Sequence, residues 1–408
     1  MLKKTTILKN SSILFFLFIF LNDHTVFSDF FETSSTYFLV LATLLLLISV
    51  FSSGKLYSNK KMWLFFLSWA VSVLIPCVLA GLTSLVFVRF CYWFALLLML
   101  LVLEYAGIDY RDILLETVKI LCIWCYICYF YTLLGFDFLP VTNVSKSLLY
   151  NWFKVELHGY IIYENLVPFS LGTISIIKLY SPLGEPGIAS MYFNFAIIWL
   201  LFFKDNADKS NKRWTYLFSI AVLLSLSMIG ILVLFAVYTI YAVKKGKALA
   251  IIFLSITIVV ASTILIIQKL STESYTQRSN DYIVMYKVIT KSLPFGIGLG
   301  NIDTSASLLS STSETVGFYC GLLYPLAQYG LFGSIYYYVM CVACCKFSDD
   351  GFSRAAFLVF FFLTLLTQPQ ADECFILAFL FSGVIRSSKC SWRNRNPMAS
   401  RREASYRY

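Results

Sequence analysis

Runs of apolar residues recur along the whole of this 408-residue chain, and a helix crossing a ~30 Å hydrocarbon layer needs about 20 such residues. The runs are continuous rather than alternating, which excludes a membrane β-barrel. They fall at 12–30, 35–52, 62–80, 83–103, 117–137, 188–203, 214–227, 229–243, 248–267, 316–343, 353–370 and 373–386. The expected fold is therefore an all-α polytopic membrane protein with about 12 transmembrane helices. Composition agrees: 59% of residues are apolar and 13% charged, more apolar content than a soluble domain uses for one core.

The basic residues set the expected topology. Lys3, Lys4 and Lys9 precede the first run; Lys55, Lys60 and Lys61 follow the second; Arg111 and Lys119 follow the fourth; Lys204, Lys209, Lys212 and Arg213 follow the sixth. Lys244, Lys245 and Lys247 follow the eighth, Lys346 and Arg354 the tenth, and Arg386, Lys389, Arg393, Arg395, Arg401, Arg402 and Arg407 close the chain. Most of the 32 Lys and Arg thus lie on alternate connections, as the positive-inside rule requires of a cytoplasmic face. Both termini are expected there. Reading 214–243 as one long helix would invert the pattern downstream, so a hairpin turning at Ser225-Leu226-Ser227-Met228-Ile229-Gly230 is expected instead.

This distribution explains the net charge of +10 as topology and contact with acidic lipid headgroups, not as a nucleic-acid surface. The amino terminus resembles a signal peptide, but no small-residue cleavage site follows at Thr25-Val26-Phe27-Ser28, so an uncleaved first span is expected. Eleven cysteines lie mainly within the runs. Cys122, Cys125 and Cys128 share a helix face with no histidine nearby, a packing pattern.

No internal repeat and no soluble linker divides the chain, so residues 1–408 read as one integral membrane domain. Two outward connections stand out, 138–187 and 268–315, each long enough to fold over the membrane surface. A basic cytoplasmic tail occupies 387–408. Asn143-Val144-Ser145 fits a glycosylation acceptor, which carries no meaning in a bacterial-type protein.

Chemistry-bearing residues gather in these loops. Arg278 precedes apolar positions at helical spacing, Ile283, Met285, Tyr286, Val288 and Ile289, and then Ser292-Leu293-Pro294. This predicts an amphipathic surface helix ended by proline. It feeds the turn Gly296-Ile297-Gly298-Leu299-Gly300-Asn301. A guanidinium offers a charged donor fork for a diphosphate, and glycines at 296, 298 and 300 let bare N–H groups approach an anion or sugar. No βαβ unit surrounds the glycines, so they are not a dinucleotide fingerprint.

In the first loop, Lys178 stands before Glu185, and Pro186-Gly187 breaks the chain just ahead of the sixth run. Glu185 fits a general base toward a sugar hydroxyl and equally a helix-start acid favoured by the macrodipole. His158 is a second base candidate. Arg89 lies inside the fourth run, where a charge marks a functional cavity or snorkels to headgroups. His24 reads as interfacial, and Asp372 and Glu373 lie at the outward turn joining the last two runs. No carboxylate cluster spaced for Mg²⁺ is apparent, so no metal and no cofactor is expected.

Several segments together resemble the O-antigen polymerase and O-antigen ligase superfamily. They are Gly184-Glu185-Pro186, Leu224-Ser225-Leu226-Ser227-Met228-Ile229-Gly230, Arg278 followed by Pro294-Phe295-Gly296-Ile297-Gly298-Leu299-Gly300-Asn301, and Tyr329-Gly330-Leu331-Phe332-Gly333. The resemblance covers most of the chain in layout and only these stretches in residues. It implies a GT-C-like glycosyltransferase in the bacterial inner membrane, using an undecaprenyl-diphosphate-linked oligosaccharide at the periplasmic face without a metal. Arg278 then matches the loop arginine that binds the diphosphate, and Glu185 matches the family's glutamate before proline; beside the resemblance, Lys178 and Arg89 are expected to assist Arg278 at the diphosphate. A chain-length regulator and a flippase of the same pathway are the implied partners, besides membrane lipid.

The family often carries an arginine before that glutamate, where this chain has only Lys178. Ligases commonly carry a histidine in the later loop, and 268–315 has none, which favours polymerase over ligase. Two rival classes remain at this stage. A flippase or other transporter would also use about twelve spans but tends to show repeats and broken helices at mid-membrane. The third reading is a non-catalytic scaffold of an envelope complex.

Overall fold

The computed structural model describes residues 2–22, 34–81, 83–134, 140–141, 158–160, 163–165, 169–171, 174–176, 178–179, 186–204, 208–252, 254–257, 263, 273–299, 320–345, 350–367 and 373–395. Five helices open the chain: α1 (Leu2–Asn22), α2 (Ser34–Ser53), α3 (Lys60–Ala80), α4 (Ser84–Ala106) and α5 (Tyr110–Leu133). After the first long loop come α6 (Pro186–Phe203), α7 (Lys209–Leu224) and α8 (Met228–Lys244). The second long loop contains α9 (Glu273–Ser292), and α10 (Tyr324–Cys345), α11 (Gly351–Thr367) and α12 (Cys374–Arg395) complete the order.

Among the described residues, strands occur only as short pieces of the first long loop. Pro140–Val141, His158–Tyr160 and Tyr163–Asn165 (β1 to β3) form an antiparallel sheet that pairs His158 with Asn165 and Pro140 with Tyr160. Phe169–Leu171 and Ile174–Ile176 (β4 and β5) pair as a separate hairpin.

Among the described residues, five segments are long and apolar enough to cross a membrane: Lys4–Leu21, Lys60–Ala80, Val86–Ala106, Tyr110–Phe130 and Pro186–Phe203. Shorter apolar helices include Tyr37–Ser53, Met228–Lys244, Gly351–Leu366 and Cys374–Ser388. Helix α1 starts well before the expected 12–30, because its polar beginning is helical too. Ser11 and Ser12 donate back to Leu8 O at 3.1 and 2.7 Å, and Ser11 Oγ meets Ser49 Oγ of α2 at 2.8 Å. The expected turn between α7 and α8 is present, and Ser227 closes it by accepting from Gly230 N at 3.2 Å.

Helices α6 and α12 form the centre. Every residue of α6 from Ile188 to Leu201 is buried, as befits a helix that is apolar all round. Helix α12 is almost as enclosed from Cys374 to Ile385. Tyr192 and Phe195 of α6 stack against Phe375 and Phe379 of α12, with ring centroids 4.1 and 4.9 Å apart. Phe20 of α1 joins the cluster at 5.2 Å from Tyr192. From another face of α12, Phe381 meets Phe66 and Trp69 of α3 at 5.2 and 5.3 Å. Such aromatic pairs contribute roughly 0.5–1.5 kcal/mol each beyond area burial, which matters where surrounding lipid would remove most of the hydrophobic drive between helices. The outer faces of α2, α3 and α4 carry exposed Leu44, Leu67, Leu79, Phe87 and Phe94, the composition of a lipid-facing surface.

Candidate functional site at the loop end

The helix termini separate into two ends. One, the basic end, collects the α4–α5 connection, the close of α6, the α8 and α11 termini and the close of α12. Arg111 donates to both oxygens of Asp109 at 2.9 and 2.7 Å, and Arg386 of α12 donates to the same carboxylate at 3.0 Å. Lys204 lies 2.6 Å from Asp112, whose oxygen also accepts from Trp199 Nε1 at 2.8 Å. The Arg111 guanidinium stacks on Trp199, 4.1 Å from its centroid. Lys244 joins α8 to α11 through Asp350 at 2.6 Å. Burial alone would raise the pKa of Asp109, but the hydrogen bonds and charge of Arg111, with the charge of Arg386, hold it at about 2.

The opposite end carries the two long loops and two backbone docking points. At the first, Leu179 N donates to Leu224 O at 2.8 Å, tying the chain ahead of α6 to the α7–α8 turn. The turn in its own right packs onto α6. Asn194 Nδ2 donates to Gly230 O at 3.0 Å, and a Cβ on Gly230 would overlap the Ser190 side chain. Lys178, half-buried, sits beside this junction.

The second docking point is more extensive. Helix α9 is amphipathic, burying Met285 and Val288, but Ile283 and Tyr286, which the spacing grouped with them, are exposed. Tyr282 OH donates to Leu366 O near the end of α11 at 2.9 Å. Beyond Ser292 the chain turns and meets α10, whose second turn is broken at Gly330 (φ 64°, ψ −167°). Ile297 N and Gly298 N donate to Ala327 O and Gln328 O, both at 2.9 Å, and Leu331 N donates to Pro294 O at 2.8 Å. Leu299 N reaches Cys77 Sγ of α3 at 3.4 Å. The turn therefore satisfies the backbone groups that the break leaves over.

This geometry corrects one reading. Gly296 and Gly298 were expected to offer bare N–H groups to an anion, but Gly296 N donates to Ser292 O at 2.8 Å and Gly298 N to Gln328 O. The glycines serve close contact between two backbones instead. Their φ values are +79° and +81°, a Cβ on Gly298 would stand 2.9 Å from Pro76 O, and a Cβ on Gly296 would meet Gln328 O at 2.6 Å.

The other candidates are distributed as follows. Glu185, Gly300, Asn301 and Asp372 lie outside the described residues. His158 is in β2 and Arg278 in the second turn of α9, with their side chains also outside. Arg89 is partly exposed in the second turn of α4. No hydrogen bond or ion pair among the described residues joins Arg89 to Lys178, and the helix bearing Arg278 docks on α10 and α11 rather than beside either. Among the described residues no group of three or more His, Cys, Asp or Glu is placed to hold a metal ion.

Two buried polar groups at this end were not picked out as candidates. Glu373, 4% exposed, immediately precedes α12, where the sequence alone placed it in an outward turn. Gln328 is 0% exposed, and neither its side-chain nitrogen nor its oxygen has a hydrogen-bond partner. A buried amide left so costs about 1–3 kcal/mol. The only sequence signal was a glutamine two residues before a glycine inside an apolar run. A separate crevice of about 160 Å³ between α3, α4 and α12 is lined by Trp63, Phe66, Trp69, Phe90, Trp93 and Phe381 among others, all apolar or aromatic. No family model, curated protein or solved structure matches the chain.

Proposed function

We propose that this chain is a glycosyltransferase of the bacterial inner membrane that polymerises undecaprenyl-diphosphate-linked oligosaccharide repeat units at the periplasmic face. In this reading the chain crosses the membrane twelve times in a GT-C-like arrangement, with both termini cytoplasmic and the basic end inside. The observation that carries it is the convergence of the resembling segments at one end. The Leu224–Gly230 turn docks on α6 beside Lys178, and the turn after α9 docks on the Tyr329-Gly330 break of α10. The charge clamps occupy the other end.

The proposed chemistry uses the cations of this end. Arg278 holds the diphosphate of a donor that enters from the bilayer, and Lys178 and Arg89, which stand apart from α9, add positive potential along its path. A hydroxyl oxygen of the incoming repeat unit bonds to the anomeric carbon as its bond to the diphosphate oxygen breaks. Undecaprenyl diphosphate leaves with the electron pair, and Glu185 or His158 takes the hydroxyl proton. Fixed positive charge beside the leaving group is the electrostatic help such a transfer needs. A chain-length regulator and a flippase are the proposed partners.

An Arg278→Ala strain tests this. The expected result is a surface polysaccharide collapsed to single repeats with the protein still at normal level, and lipid-linked single repeats accumulating on the periplasmic side. An unchanged ladder sinks the proposal, and complete loss of core-attached sugar points to a ligase.

The break in α10 favours a second reading, a lipid-linked oligosaccharide flippase, since transporters use interrupted helices at their binding sites. The break lies in the second turn of a 22-residue helix, nearer its loop end than its middle, which fits a surface transferase better. Trapping of single repeats on the cytoplasmic side in a deletion strain would decide for the flippase.

A further inference from the structure

We propose that Gln328, at the break of α10, binds the carbohydrate: its carboxamide hydrogen-bonds hydroxyl groups of the oligosaccharide on which the proposed transferase acts. The inference rests on that reading for its ligand, while its evidence is structural. Buried side-chain amides are as a rule hydrogen-bonded, yet both polar atoms of Gln328 are enclosed and without partners. The break does not require them. Its leftover backbone groups at Ala327, Gln328 and Leu331 are already satisfied by the turn after α9. An apolar side chain of similar size would fill the same space without the desolvation cost, so the amide serves something other than packing.

Irregular backbone at membrane depth is tolerated where it is enclosed by protein or lines a polar path, and this break adjoins the loop end. The group is neutral and carries a donor and an acceptor together, which suits neighbouring hydroxyls of a sugar rather than a diphosphate. Arg278 lies about 20 Å along α9, at 1.5 Å per residue, from the helix end at Ser292 that leads into the docked turn. A donor gripped there by its diphosphate has its sugars, not its phosphates, within reach of α10. Because Gln328 is fully enclosed and Gly298 N bonds to its backbone oxygen, the sugar gains access when the glycine turn lifts, so binding and turn movement are one event.

The test uses the full chain in lipid nanodiscs, as wild type, Gln328→Leu and Gln328→Asn. Binding of the lipid-free repeat-unit oligosaccharide is titrated, the thermal midpoint is measured, and KM and kcat are read with the lipid-linked repeat unit. The expected result for Gln328→Leu is an unchanged or higher midpoint, about tenfold weaker oligosaccharide binding and a KM raised by a similar factor, with kcat within about twofold. Gln328→Asn, which retracts the amide by one methylene, is expected to weaken binding as well, and it carries the test if the leucine variant does not accumulate. Unchanged affinity in the variant that folds overturns the proposal, as does a wild type that binds no oligosaccharide. A wild type that binds the oligosaccharide through Gln328 but makes no polymer overturns the transferase reading and leaves the site standing.

Discussion

At the basic end of the bundle, helices far apart in sequence are clamped by side-chain charge: Asp109 holds Arg111 and Arg386, Asp112 holds Lys204, and Asp350 holds Lys244. At the loop end, the turn after α9 and the break in α10 are joined backbone to backbone at glycines, with Gln328 buried at the break. The first kind of joint tolerates small shifts, because a carboxylate accepts from several directions. The second does not yield by degrees, because main-chain atoms cannot rotate away, so the turn is either docked or lifted whole. In the proposed transferase reading, this division holds the molecule's shape on one side and admits substrate on the other. The clamped end keeps the bundle together while the docked turn is the part that can separate as a unit.

The largest effect is expected from Gly330→Ala. A Cβ there would overlap Pro294 O, Phe295 C and Gly296 N, all main-chain atoms of the docked turn. A loss above about 4 kcal/mol, read as failure to accumulate or a collapsed thermal midpoint in detergent, is expected for a backbone overlap of this kind. Gly246→Ala is the control. Its φ of +65° is similar but nothing lies within 4 Å of its Cβ position, so only the conformational cost of about 1 kcal/mol applies. Equal effects at both positions would mean that the loop end is not held by backbone contact.

Asp109→Asn tests the clamped end. It removes the carboxylate charge to which Arg111, whose side chain is 7% exposed, donates twice, at an expected cost of about 3 kcal/mol. Arg386→Gln removes the longest-range partner and should cost less. The pH dependence has a definite sign. Asp109 titrates at about 2 in the folded chain, below its ordinary value near 4, so its contribution of about 2 kcal/mol is complete above pH ~4 and is lost as pH falls through about 2. A thermal midpoint followed from pH 7 to pH 2 should decline in the wild type over that window, and Asp109→Asn should lack this part of the decline. Identical profiles would remove Asp109 from the clamp.

How much of this was legible differs between the ends for a physical reason. Hydropathy and turn chemistry are local, so the run at 35–52 is helix Ser34–Ser53, 62–80 is Lys60–Ala80, and the Ser225–Ser227 turn divides α7 from α8. The amphipathic helix after Arg278 and its end before Pro294 were legible on the same grounds. The pairing of Asp109 with Arg386 was not, because 277 positions separate them and several basic residues could have met that carboxylate. The break at Gly330 left no trace in hydropathy, since Tyr329-Gly330-Leu331-Phe332 reads as continuous membrane helix. Its backbone conformation is fixed by the distant turn it receives. For the same reason the glycines at 296 and 298 looked like anion ligands: the requirement for close approach was legible, but the partner approached was not.

The smallest predicted effect concerns the joint between these regimes. Tyr282 OH donates to Leu366 O one helical turn beyond Arg278 on α9, and this side-chain hydrogen bond fastens the helix to α11. Tyr282→Phe removes the hydroxyl and with it that bond, and because the ring is 40% exposed water can replace the partner. A stability loss of no more than about 1 kcal/mol is expected. If α9 only covers the bundle, transfer activity should fall in proportion to that small loss. If α9 positions Arg278, activity should fall severalfold at an almost unchanged thermal midpoint, because a loosened helix displaces the guanidinium without unfolding anything. Measuring both quantities on the one variant separates a lid from a holder, which no substitution at either docking point can do, since those break the fold first.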